Sequence, residues 1–136
     1  MTMKILSSFI LLSIFFACGS NPSSDEAQAS NPYSAGEEVY ENNCIACHQK
    51  NGEGVVEAFP PLAGSDYLLA DKNRAIGIAA NGMSGEITVN DVKYNSVMAS
   101  QGLTKEEVRD VMNYILNSWG NDGGEVTLKE VEAVMK

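Results

Sequence analysis

One short stretch of this sequence carries most of its chemistry: Cys44-Ile45-Ala46-Cys47-His48. Two thiols at this spacing on a helical turn face the same side. They can add to the two vinyl groups of a single haem, and the next residue can then set its imidazole on the iron. Cys-x-x-Cys-His is the attachment signature of c-type haem. Two other chemistries use paired cysteines. A structural zinc site takes about four N or S ligands, but His48 is the only histidine in the chain and the remaining cysteine, Cys18, lies far upstream. A thiol pair of the thioredoxin kind follows a strand in a βαβ unit, whereas the residues before Cys44 read as helix. The residues therefore point to one covalently held haem.

The motif needs helices to position it. Ser34-Ala35-Gly36-Glu37 has the form of a capping box and predicts a helix over 34–47. Gly52 and Gly54 break the chain into a loop that ends in Phe59-Pro60-Pro61-Leu62. Ser65 can cap a short helix over 65–69, and a further helix is expected over 72–81, stopped by Asn81-Gly82. Ile87-Thr88-Val89 and Val92-Lys93-Tyr94 flank Asn90-Asp91, the pattern of a small hairpin. Thr104-Lys105-Glu106-Glu107 is a second capping box. Val108, Val111, Met112, Ile115 and Trp119 then follow on one helical stripe, which predicts a helix over 104–119 ended by Gly120, Gly123 and Gly124. Thr127-Leu128-Lys129-Glu130 can start a last helix packed by Val131 and Val134. The expected fold class is all-α, with the helices wrapped around one haem and a short β-hairpin at the side. Only 7% of residues are aromatic, so a buried porphyrin would supply core that the side chains do not.

Upstream of this domain the composition changes twice. Lys4 and the apolar run over 5–16 read as the n- and h-regions of an export signal. The run is too short to cross a bilayer, which takes ~20 apolar residues. Ala17-Cys18 at its end resembles the lipobox of bacterial lipoproteins, in which the cysteine becomes the lipidated first residue of the mature chain. Residues 19–32 are polar, with Pro22 and Pro32, and have no apolar period, so they read as a flexible linker. The expected organisation is a signal over 1–17, an anchored linker over 18–33 and one folded domain over 34–136. With Cys18 carrying lipid and Cys44 and Cys47 paired, no cysteine is left for a structural disulfide. The chain shows no internal repeat, which excludes an array of two haems. A formal net charge of −9 argues against nucleic acid and favours a partner with a basic patch.

On the motif, the glycine and aromatic ahead of it (Gly36 and Tyr40) and the proline loop, residues 34–119 resemble the class I c-type cytochromes. The resemblance implies a monohaem electron carrier. It implies that the C-terminal helix crosses Gly36 through Val111 and Tyr114. It also implies that the Pro60 carbonyl accepts the Nδ1 hydrogen of His48 and that Leu62 lies against the haem face. The family places its sixth ligand, a methionine, on a loop before the C-terminal helix. Tyr94-Asn95-Ser96-Val97-Met98 sits there and resembles a subgroup with Tyr-Asn-x-x-Met after a small hairpin. Met98 is thus the implied partner of His48 on the iron. Met1 and Met3 fall in the leader, Met112 on the last helix's stripe, Met135 near the C-terminus, and Met83 beside Asn81-Gly82 as a residue packing on the pocket. Many relatives carry proline after the ligand, where this chain has Ala99.

The function implied is one-electron carriage between exported or membrane redox partners, such as a respiratory complex, a terminal oxidase or a denitrification reductase. The domain would work on the periplasmic side of a bacterial membrane, tethered through Cys18. Two competing functions require an iron whose sixth position opens: a haem-based sensor and a peroxidase-like enzyme. The second also needs a distal acid or base, and the single histidine is already used.

Overall fold

The computed structural model describes residues 31–135. The expected leader over 1–17, the lipid site Cys18 and most of the expected linker lie outside them. Six helices and one two-stranded antiparallel sheet are found among the described residues. None of these helices is long and apolar enough to cross a membrane.

The first helix, α1 (Ser34–Asn43), differs from expectation at both ends. Its N-cap is Tyr33 and no capping box forms at Ser34, because the Glu37 carboxylate instead accepts a 2.8 Å hydrogen bond from the Asn31 amide. At its other end the helix stops before the motif. Cys44 interrupts it, and a single turn, α2 (Ile45–His48), carries the rest. The helices α3 (Asp66–Ala70) and α4 (Lys72–Asn81) follow as expected, capped by the side chains of Ser65 and Asp71. Strands β1 (Ile87–Val89) and β2 (Val92–Tyr94) pair with Ile87 opposite Tyr94. Asn90 and Asp91 both have positive φ, 49° and 65°, as a tight primed turn demands. Reciprocal backbone-to-side-chain bonds between Asn90 and Asp66 dock this turn on the start of α3.

Helix α5 (Lys105–Leu116) has the expected Thr104–Glu107 capping box, and so does α6 (Leu128–Val134) with Thr127 and Glu130. The stripe Val108, Val111, Met112 and Ile115 is buried as expected. The helix nonetheless ends well before Trp119, which sits in a turn with φ 53°. Tertiary contact explains the difference. Trp119 closes an aromatic trio with Tyr40 and Tyr114, with ring centres 5.0 to 5.5 Å apart, and its ring lies so close to Gly52 that any Cβ there would overlap it. These rings pin the motif's loop to the crossing of α1 and α5.

That crossing is close because Gly36 lacks a side chain. A Cβ there would strike the Asp110 carbonyl group and come within 2.8 Å of Tyr114 Cβ. The closest approach is thus made by Asp110 and by Tyr114, one of the two residues expected there. Val111 turns instead into the core, where Tyr40, Ile76, Val108, Met112 and Leu116 are also fully buried. Val131 anchors α6 against the same core, and Lys72 ties α4 to α6 by a 2.8 Å ion pair with Glu130.

Candidate functional site

The backbone of Cys44 turns so that its carbonyl accepts from both the Cys47 and His48 amides, at 3.2 and 2.9 Å. This winds the motif into one tight turn with both thiols on the same side. Cys47 is exposed and Cys44 partly buried. Burial, and next the neighbouring Cys47, push the Cys44 thiol up to about 11. His48 is only 8% exposed, and burial lowers its pKa against the smaller upward pull of its hydrogen bond to Pro60. Its Nδ1 lies 2.9 Å from the Pro60 carbonyl oxygen. A carbonyl can only accept, so Nδ1 carries the proton, and Nε2 is the nitrogen with a free lone pair.

The proline loop reaches His48 through Gly52 and Gly54. The Gly54 amide donates to the His48 carbonyl at 3.0 Å, and the Gly52 carbonyl accepts from Leu62 and Ala63 at 2.7 and 2.9 Å. Gly54 has φ 64°, and a Cβ there would come within 2.7 Å of the Pro60 carbonyl group. The loop closes only because these positions are glycine.

Cys44, Cys47, His48, Pro60, Leu62 and Met98 all line one cavity of about 310 Å³. Its other walls are mainly apolar, among them Ile78, Val89, Val111 and Ile115. Met83 also lines it, opposite Met98 across an isolated antiparallel bridge. Met112 lies in the core, and its buried side chain forms part of the cavity floor.

Two polar residues in this region carry no local signal in the sequence. Arg74 lines the cavity, with its guanidinium stacked 3.8 Å above the Tyr67 ring and one nitrogen bonded to the Tyr67 carbonyl. Its Nε is buried with no acceptor. Asn121, also buried, bonds the Gly64 amide at 2.8 Å and the Leu62 and Ile115 carbonyls at 3.0 and 2.8 Å, tying the proline loop to the end of α5. Asn121 reaches Leu62 and Gly64, far back in the chain, so only the fold reveals it, whereas Arg74 folds back onto Tyr67, seven residues before it.

A haem suits this donor set. The walls match its apolar faces, the paired thiols and the imidazole stand at one edge, and thioether sulfurs line the cavity as well. The orphaned Arg74 Nε is a buried donor that asks for an anionic oxygen, and haem carries carboxylates at its rim. The cavity therefore belongs to a helical protein built around one covalent haem.

Comparison with known proteins agrees. Residues 33–119 match the cytochrome c family, and the chain belongs to it. Over 83 residues it is 42% identical to a cytochrome c-552 of Thermus thermophilus, a match covering 57% of this chain and 63% of that one. It is 35% identical over 104 residues to the cytochrome c subunit of a quinone alcohol dehydrogenase of Gluconobacter oxydans, covering 72% of this chain and 21% of the subunit. The chain thus spans less than two thirds of either relative's length. Family membership brings covalent haem c and supports a role in electron transfer.

Proposed function

We propose that this chain is a one-electron carrier in which Cys44 and Cys47 would hold the haem by thioether bonds and His48 and Met98 would ligate its iron. Pro60 orients the histidine and Leu62 covers the adjoining face. The observation that carries this reading is the convergence of both thiols, the imidazole and the Met98 side chain on a single apolar cavity.

Haem c, when bound, supplies a one-electron couple. The protein's own residues decide how that couple is used. The Pro60 carbonyl holds the proton on Nδ1 and so fixes both the tautomer and the ring plane of His48. A thioether from Met98 favours the reduced state relative to a second imidazole, which raises the potential. The apolar walls keep water from the iron. With the sole histidine bound to metal, no imidazole is left for acid–base work on a substrate. Cys47 is exposed and Val97, beside Met98, is 74% exposed, so the cavity's edge lies at the surface where a partner can approach. Such encounters bury little area and are transient.

The partners in this reading are exported redox proteins: a respiratory complex, a terminal oxidase or a denitrification reductase. The similarity to a dehydrogenase cytochrome subunit adds a quinone-linked dehydrogenase as a donor class. The excess negative charge favours a basic docking patch on the partner. Residues 1–17 would direct export, and Cys18 would hold the domain to the periplasmic face of a membrane through the linker over 18–33. Substituting Cys18→Ser is expected to move the protein from the membrane fraction to the soluble one.

The decisive experiment is an absorption spectrum of the oxidised holoprotein, read for the methionine–iron charge-transfer band, in wild type, Met98→Ala and Met83→Ala. The expected result is a band in wild type and Met83→Ala that is absent in Met98→Ala. A band removed only by Met83→Ala would transfer the ligand role to Met83. A wild type that lacks the band and binds carbon monoxide readily would replace the carrier with a sensor or a peroxidase-like enzyme.

A further inference from the structure

Met98 lies on an irregular stretch whose flanks are exposed, yet its backbone is held on every side. Its amide donates to the Met83 carbonyl at 2.9 Å, and the Met83 amide returns the bond to Met98 at 2.8 Å. This bridge is in register with the hairpin. Ile87 pairs with Tyr94, and stepping the same number of residues outward on each strand leads to Met83 and Met98. Met83 and Met98 line the cavity together with Ile87, Val89 and Tyr94 of the hairpin. The positive-φ turn at Asn90 and Asp91 sets this register.

The bridge forms against the end of α4. Gly82 ends that helix with φ 74°. A Cβ on it would overlap the Met98 carbonyl oxygen and approach Ser100 N and Ala99 C to 2.7 and 2.8 Å. Two serines fasten the stretch on either side of Met98. Ser96 Oγ donates to the Ala58 carbonyl at 2.6 Å and Ser100 Oγ to the Ala80 carbonyl at 3.0 Å.

We infer that Gly82 is a positioning residue for the sixth ligand: it lets the Met98 backbone latch to Met83 at the end of α4, and this latch keeps the Met98 sulfur on the iron. The inference rests on the reading of Met98 as ligand. It implies that the strength of the sixth bond is governed by a contact outside the coordination sphere. An exogenous ligand can bind only while Met98 is off, so its apparent affinity scales with the open fraction. Losing both bridge bonds should raise that fraction about thirtyfold, and losing the Ser100 bond alone about fivefold.

The test measures imidazole affinity and the charge-transfer band in oxidised holoprotein for wild type, Gly82→Ala, Ser100→Ala, Met98→Ala and Gly124→Ala. Gly124 is the matched control, since its φ of 72° is nearly that of Gly82 but nothing lies within 4 Å of its missing Cβ. Thermal unfolding is recorded for each. The expected result is tighter imidazole binding and a weakened band in Gly82→Ala, a smaller change in the same direction in Ser100→Ala, and wild-type binding in Gly124→Ala even where its stability falls. Should Gly82→Ala give no holoprotein, Ser100→Ala decides. If Met98→Ala keeps the band, the ligand reading fails and takes the latch with it. If Met98→Ala loses the band while Ser100→Ala and any Gly82→Ala holoprotein bind imidazole like wild type, the ligand reading stands and the latch is overturned.

Discussion

Replacing Gly36 by alanine adds one methyl group at the crossing of α1 and α5, where its neighbours are the Asp110 carbonyl group and, at 2.8 Å, Tyr114 Cβ. Neither can swing aside as the tip of a long side chain could, so the helices must separate. Overpacking of this kind costs ~1–3 kcal/mol and more where backbone has to move. The better helix propensity of alanine returns at most ~1 kcal/mol. The net expectation is a loss of about 2 kcal/mol, or roughly 8–16 °C in melting temperature for a domain of this size. Gly77 supplies the opposite case within the same protein. It lies in α4, and a Cβ there would meet only Val134 Cγ1, at an ordinary 3.5 Å. Gly77→Ala should therefore gain ~0.5–1 kcal/mol. Guanidinium unfolding of the two holoprotein variants beside wild type measures both shifts. A Gly36→Ala protein as stable as wild type, or a Gly77→Ala protein clearly less stable, would refute the close-approach argument.

Asn121→Ala leaves the Gly64 amide and two buried carbonyls without that partner, and should cost ~2–4 kcal/mol in thermal unfolding, with faster amide exchange at Gly64. In the proline loop, Pro60→Ala keeps the backbone carbonyl that His48 uses and should be mild, whereas Gly54→Ala collides with that carbonyl group and should lower stability by ~2 kcal/mol or more, both read by calorimetry. The Glu130 carboxyl is held down to about 2, first by its bond from Lys72 and then by the Thr127 amide and hydroxyl. Its folded pKa lies below the ordinary 4.5, so its contribution is complete above that value and is lost as pH falls toward about 2. Unfolding curves of wild type and Glu130→Gln should therefore converge across that window, and a constant gap would refute the assignment.

The parts of the fold that were legible in the sequence are those with short-range causes. The Cys44–His48 motif, the caps at Ser65, Thr104 and Thr127, and the Asn90-Asp91 turn are decided by residues a few positions apart. The same logic misled at Ser34, where an Asn31 side chain from outside the box captured Glu37. It misled again at Trp119, whose place on the apolar stripe gave way to stacking on Tyr40 and Tyr114. Asn121 shows no pattern at all, because its Leu62 and Gly64 partners are brought to it by folding, and nothing in the sequence singles out Arg74 although its partner Tyr67 is only seven residues away. The bridge between Met83 and Met98 lies between these cases. The hairpin could be read locally, but the resumption of its register beyond the irregular residues could not.

The crossing of α1 and α5 also has a topological meaning. It joins the first helix to the fifth, and the intervening chain includes the proline loop, α3, α4 and the hairpin, hence most of the cavity wall. Closing a loop of that length costs roughly 4 kcal/mol in chain entropy before any contact inside it is made. The wall segments are too small to be stable alone, so they inherit their order from the knot of Gly36, Tyr40 and Tyr114. Opening that one crossing should release the enclosure together, with a single free energy for the exchange of amides as far apart as those of Leu62 and Ala75.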